Sequence, residues 1–255
     1  GVHFMGETAK ILCPDKKVLV PDLNAGCSLA DSCPATEFAE FVKQHPGHTV
    51  ISYVNTTAAV KAVTDVVVTS TNARQIVESF PEGTPMIFGP DRNLGNYINS
   101  ITGRNMLLWD GACHVHEQFS LEKILSLKKQ YPNAEVITHP ECKQPVIQVS
   151  DFVGSTAALL KHTIKSDAKQ FIVATESGVI HEMRKRSPDK EFIPAPPNDS
   201  TCACNECNFM RLNTMEKLYN CLKYELPEIF VDEQVQEKAI RPIKKMLEIS
   251  ERLGL

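Results

Sequence analysis

The chain has 255 residues, 42% of them hydrophobic and 23% charged, with a formal net charge of −4; that is the composition of a globular protein with ample core. Mild acidity excludes electrostatic nucleic-acid binding, because no stripe of Lys and Arg offers phosphates a landing surface. Apolar runs of only about four residues exclude a membrane-spanning helix, and no charged-then-apolar leader opens the chain, so a cytosolic location is expected.

Gly1 leads directly into a helical pattern over 7–12, without an initiator Met, so the chain reads as lacking an upstream segment. Short, often β-branched runs at 18–20, 49–53, 86–88, 106–109, 135–137, 171–173 and 192–193 read as buried strands. Helical spacing fills 72–79, 121–130 and 155–164 between them. Two further helices, 215–222 and 233–253, close the chain; Pro242 is expected to kink or break the second, and their apolar stripe to pack back on the start of the chain. Strands alternating with helices imply parallel sheets with both faces covered, an α/β fold.

The chain also repeats itself. Tyr53 and His139, Asn55 and Glu141, Thr69 and Ser155, and Ser70 and Thr156 all stand 86 residues apart in similar local sequence. Cys27 and Cys113 share that offset, and Cys207 follows Cys113 by 94. A third copy is partly visible, because Gly1-Val2-His3 running to Pro14-Asp15-Lys16 resembles Gly178-Val179-Ile180 running to Pro188-Asp189-Lys190. By this alignment roughly 50–60 residues of a first repeat lie upstream. The expected organisation is three pseudo-threefold repeats: 1–33 as the remainder of the first, with 211–255 packed back on it, then 34–115 and 116–210. Ligands of open parallel sheets sit beyond the carboxyl ends of the strands, so three strand ends and three cysteine loops would face one central site.

Nine cysteines in a chain with no sign of export read as reduced thiols, some of them metal ligands. A structural zinc needs four ligands, usually in close pairs; Cys202, Cys204 and Cys207 supply only part of such a set. An iron–sulfur cluster on three dispersed thiolates leaves one iron open to substrate. Cys13, Cys142 and Cys221 read as small buried residues, with Cys33 undecided.

Several stretches together resemble one family, the quinolinate synthases. They are residues 1–12, Pro21 to Asp31 around Cys27, Gly111-Ala112-Cys113-His114-Val115-His116-Glu117, His139-Pro140-Glu141-Cys142, Gly154-Ser155-Thr156, Ala174 to Gly178, and Cys204 to Thr214. The resemblance implies a three-repeat cytosolic enzyme of NAD biosynthesis. Such an enzyme condenses iminoaspartate, supplied by aspartate oxidase, with dihydroxyacetone phosphate, losing phosphate and water. It further implies a [4Fe–4S] cluster on Cys27, Cys113 and Cys207, with the open iron acting as a Lewis acid. The family's N-terminal His-x-Tyr and Asp-Ser motifs have no counterpart here. Where some members carry C-x₂-C-x₂-C at the third cysteine, Thr201 takes the first position and Cys202 lies beside it.

His139 and Glu141, two apart at a strand end, would leave the same face and could bind a carboxylate and move protons. Tyr53 and Asn55 would approach substrate from the neighbouring repeat. Ser70, Ser155 and Thr156 read as helix starts suited to anionic groups, although such residues also cap helices for structural reasons alone. His114 and His116 read as loop-filling neighbours of Cys113, and Glu176 as structural. The competing readings are a non-catalytic iron–sulfur or zinc protein and an inactive fragment. A dinucleotide-binding oxidoreductase fails, because no G-x-G-x-x-G follows a strand.

Overall fold

A computed structural model describes residues 1–199 and 205–255; Thr201, Cys202 and Cys204 lie outside the described residues. The chain divides into two units, residues 1–112 with 208–255, and residues 113–207. Each holds one four-stranded, wholly parallel sheet. In the first, β1 (Thr49–Tyr53), β2 (Val66–Val68), β3 (Met86–Gly89) and β4 (Leu107–Leu108) lie in the order β2-β1-β3-β4. In the second, β5 (Glu135–Thr138), β6 (Phe152–Val153), β7 (Gln170–Ala174) and β8 (Glu191–Pro194) lie in the order β6-β5-β7-β8.

Alternation along the central strands explains the layers. On β7, Phe171 and Val173 point to one face and pack with Leu159, Ile180 and Met183, while Ile172 and Ala174 point to the other and pack with Phe119 and Ile124. Both faces are apolar, so both need helical cover, as a parallel sheet requires.

The 86-residue offset extends to the hydrogen bonds that set the strands. The Asp65 carboxylate accepts from the Val50 N–H at 2.8 Å, and that of Asp151 from the Val136 N–H at 2.8 Å. The Ser52 and Thr64 hydroxyls pair at 2.7 Å, and those of Thr138 and Ser150 at 2.5 Å. Thr64 Oγ1 donates to Val60 O and Ser150 Oγ to Val146 O, each at 2.8 Å. These ties dock β2 and β6 against β1 and β5. β2 and β6, each at one edge of its sheet, are too short to show a period and owe their place to the preceding aspartate.

Two of the three expected sheets are present among the described residues. Residues 1–33 form the helices His3–Leu12 and Ser28–Asp31 without a sheet of their own. The first of these ends as the helix Val179–Arg186 does: Cys13 (φ −129°, ψ 69°) and Ser187 (φ −138°, ψ 69°) cap them alike. Residues 18–20, expected as a buried strand, make only an antiparallel bridge from Leu19 to Glu228, flanked by Val20 N–H to Pro227 O and Ile229 N–H to Val18 O. No parallel neighbour accompanies them among the described residues.

Helix Glu233–Leu253 runs through Pro242 without a break. Its flanking residues Ala239 and Ile243 are buried against Ile11, Ala58 and Val67, and packing along 21 residues outweighs one lost backbone bond. Cys13, expected in the core, is exposed at its helix end, whereas Cys142 and Cys221 are buried. Cys33 is buried too, and burial pushes its thiol up to about 12, which makes it an inert core residue.

Lys61 is fully buried, and its Nζ donates to Val54 O at 2.9 Å and to Thr56 O, holding the turn that follows β1. Burial pushes its pKa from 10.5 down to about 8, with Glu7 opposing. Between those values the unfolded chain holds a proton that the folded chain has released, so stability from this site rises with pH across the window. The total is roughly 3 kcal/mol. Urea melts at pH 7.5 and 10.5 should therefore shift in favour of wild type over Lys61→Met by that order; a pH-independent difference would refute the buried-lysine account.

Candidate active site

In the second unit the residues that bear chemistry gather where β5, β6 and β7 end. β5 stops at Thr138, and the His139 N–H adds one more ladder bond to Ala174 O at 3.1 Å. Pro140 and Glu141 then turn, closed by the Cys142 N–H on His139 O at 3.0 Å. His139 and Glu141 thus meet through a turn and not through strand alternation, a correction to their expected geometry. The Glu141 N–H donates to His139 Nδ1 at 3.3 Å, and Glu141 Oε1 lies 3.7 Å from the same nitrogen. An accepting Nδ1 leaves the proton on Nε2.

His116 completes the group. It lies on the one-turn helix His114–Glu117, whose N-cap is Cys113. Its ring stacks on that of His139, with centroids 4.8 Å apart and planes at 26°. His116 Nδ1 lies 3.0 Å from Glu141 Oε2, while Nε2 lies 3.1 Å from Thr175 Oγ1. His116, His139 and Glu141 are 8%, 4% and 3% exposed, so any charge among them must be answered within the group. Burial pushes His139 down to about 4, against the pull of Glu141 and with help from His116. Burial also acts to lower His116, but Cys113 and Glu141 outweigh it and hold that imidazole well above its ordinary value. Sequence reading set His116 aside as loop filler and missed Thr175. The Cys113-x-x-His116 spacing was the available signal, since residues three apart on a helix share a face.

Ser155 is buried and caps the helix Thr156–Lys165, its Oγ accepting from the Ala158 N–H at 3.3 Å; Thr156 is exposed in that helix's first turn. The Gly154 N–H donates to Thr138 O at 3.1 Å, which keeps this helix start beside the end of β5. Glu176 is a strut: its carboxylate accepts from the Gly178 N–H at 2.8 Å and from the Cys207 N–H at 3.4 Å. Asn205 joins the same bracket, accepting from the Ser177 N–H and donating to Val115 O, both at 3.1 Å. An open cleft of about 1120 Å³, lined by Lys169, Gln170, Asp189 and Glu191, sits at the amino ends of β7 and β8, on the opposite edge from His139.

In the first unit, Tyr53 is the buried last residue of β1 and Asn55 stands two beyond it. Ser70 was expected to begin a helix and does not. Asn72 Oδ1 accepts from the Thr69 N–H at 2.7 Å and from its hydroxyl at 3.0 Å, closing a turn that delays the helix to Ala73–Glu78.

The three expected cysteine ligands share one local structure. Cys27 is the N-cap of the one-turn helix Ser28–Asp31, Cys113 that of His114–Glu117, and Cys207 immediately precedes Asn208–Arg211. Cys27 and Cys113 both have extended backbone, and each carbonyl accepts the N–H four residues on. All three are partly exposed cysteines outside any disulfide, a donor set suited to soft-metal or iron–sulfur ligation.

Parallel sheets with polar side chains gathered at a carboxyl edge define an α/β protein built to hold a ligand there. A family model described as quinolinate synthetase A protein matches residues 1–248. The chain is 56% identical over 250 residues to the quinolinate synthase of Synechococcus sp., a match spanning 98% of this chain and 78% of that protein. It is 57% identical over 250 residues to that of Chloroherpeton thalassium, and 58% to that of Nostoc punctiforme, with 98% of this chain covered in both cases and 78% and 77% of those proteins. The chain belongs to the quinolinate synthase family, whose members use an iron–sulfur cluster. No described helix is long and apolar enough to cross a membrane.

Proposed function

We propose that this chain forms quinolinate in cytosolic NAD biosynthesis, condensing iminoaspartate from aspartate oxidase with dihydroxyacetone phosphate and releasing phosphate and water. The observation that carries the reading is the cysteine–one-turn-helix element, present three times at offsets of 86 and 94 residues. Cys27, Cys113 and Cys207 would hold a [4Fe–4S] cluster, which when bound would supply Lewis acidity toward a departing hydroxyl. The Glu176 bracket fixes the backbone of Cys207 for that role.

His139, its Nδ1 occupied by the Glu141 N–H, presents an Nε2–H to the substrate and passes that proton during enolisation and dehydration. Glu141 orients His139 and accepts protons. Tyr53 and Asn55 hydrogen-bond substrate carboxylate or carbonyl oxygens. Thr156 and the helix start at Ser155 receive an anionic group, and Ser70 contributes its hydroxyl from the turn after β2.

Anaerobically reconstituted protein supplied with aspartate, aspartate oxidase, an oxygen-free two-electron acceptor for that oxidase, and dihydroxyacetone phosphate should release quinolinate and phosphate in equal amounts. Phosphate without quinolinate, or neither from protein carrying its cluster, would sink this reading.

A further inference from the structure

We infer that, when no cluster is present, Cys113 Sγ, His116 Nδ1 and Glu141 bind one zinc ion, a site that shares only Cys113 with the three-thiolate set. The sulfur, nitrogen and carboxylate oxygen already lie within 4.8 Å of one another. Ligand atoms around a tetrahedral zinc, with bonds of about 2.0–2.3 Å, stand roughly 3–4 Å apart, so a small rotation of the Cys113 side chain closes the set.

Two details of His116 favour a cation over a simple ion pair. First, Nδ1 is buried and lies 3.0 Å from Glu141 Oε2, a close contact that falls short of hydrogen-bond geometry. An imidazolium bound to a carboxylate would align its N–H with the oxygen. Atoms this close that do not aim at each other can instead share a third partner. Second, Nε2 faces the Thr175 hydroxyl at 3.1 Å. That contact fixes the plane of the ring and leaves Nδ1 on the side of Cys113 and Glu141, so that a metal ion displacing the Nδ1 proton meets all three ligands, the arrangement that orients metal-binding histidines. One sulfur, one imidazole nitrogen and one carboxylate leave a fourth position for water and suit zinc or cobalt over magnesium or calcium.

Zinc here would occupy a cluster thiolate and a substrate-binding carboxylate together, so zinc and cluster exclude each other on Cys113. This consequence, unlike the site itself, rests on the proposed cluster ligation. The test uses cluster-free protein under anaerobic conditions, titrated with Co²⁺ and then with Zn²⁺. One Co²⁺ per chain is expected, with four-coordinate d–d bands and a thiolate-to-cobalt charge-transfer band, both abolished by Zn²⁺. His116→Ala should remove the site, and Thr175→Val, which keeps the ring but releases its orientation, should weaken binding about 10–100-fold. Cys27→Ala and Cys207→Ala should leave it intact. Cobalt binding that survives His116→Ala and Thr175→Val unchanged, or that disappears in Cys27→Ala, would overturn the proposal. Iron and sulfide counts on separately reconstituted protein report the cluster independently, so the failure of one assignment is distinguishable from that of the other.

Discussion

Cys27→Ala, Cys113→Ala and Cys207→Ala will each abolish quinolinate formation and leave protein that does not retain about four irons and four sulfides after anaerobic reconstitution. The effect is large because three protein thiolates are the minimum that anchors such a cluster while leaving one iron open. Loss of any one exposes a second iron and removes the negative charge that balances the cluster. The same replacement at Cys33, Cys142 or Cys221 serves as the internal control. These thiols lie in the core, so their loss costs packing and leaves the metal count unchanged. Iron and sulfide analysis beside a thermal melt separates the two groups. A ligand variant that keeps its full metal content, or a core variant that loses it, would contradict the assignment. Because each ligand precedes a one-turn helix, the three variants should behave alike.

The repeat explains why so much of this architecture could be read from the chain. Four residue pairs at one offset located the equivalent strands, and the structure extends that offset to the Asp65 and Asp151 ties and the paired hydroxyls behind them. Two features escaped for physical reasons. The edge strands β2 and β6 span three and two residues, too few for alternation to register, and they exist because a side chain outside them captures a backbone N–H. Residues 18–20 carry strand composition but among the described residues find only an antiparallel partner at Glu228, and composition does not report the neighbour. At the site, His139 and Glu141 were legible as a pair, but the reason offered was strand periodicity, and a turn does the work. His116 was overlooked because its importance lies in a contact with a residue 25 positions away, which spacing within its own helix does not reveal. Ser70 shows the converse. Sequence similarity to Thr156 suggested a helix start, and a single side chain, Asn72, diverted the backbone.

His139→Asn is expected to lower kcat and kcat/KM together by about 10²–10⁴-fold, the range for loss of a positioned proton donor. The argument starts from the hydrogen bond that the Glu141 N–H donates to Nδ1 at 3.3 Å. It commits the ring to the tautomer with its proton on Nε2, so the side chain has one donor to give to the substrate and no freedom to give it elsewhere. Asparagine is smaller and still polar, and its amide can take the place of Nδ1 as acceptor for that N–H, so the turn after β5 has no cause to open. What it cannot do is pass a proton. A substrate contact of equal strength in ground and transition states would raise KM and spare kcat; a proton passed during enolisation or dehydration shows in kcat. Iron content and melting temperature should match wild type, since neither the cysteines nor the core of the second sheet is touched. Full activity in His139→Asn would remove His139 from the chemistry, and a loss confined to KM would reduce it to a binding residue.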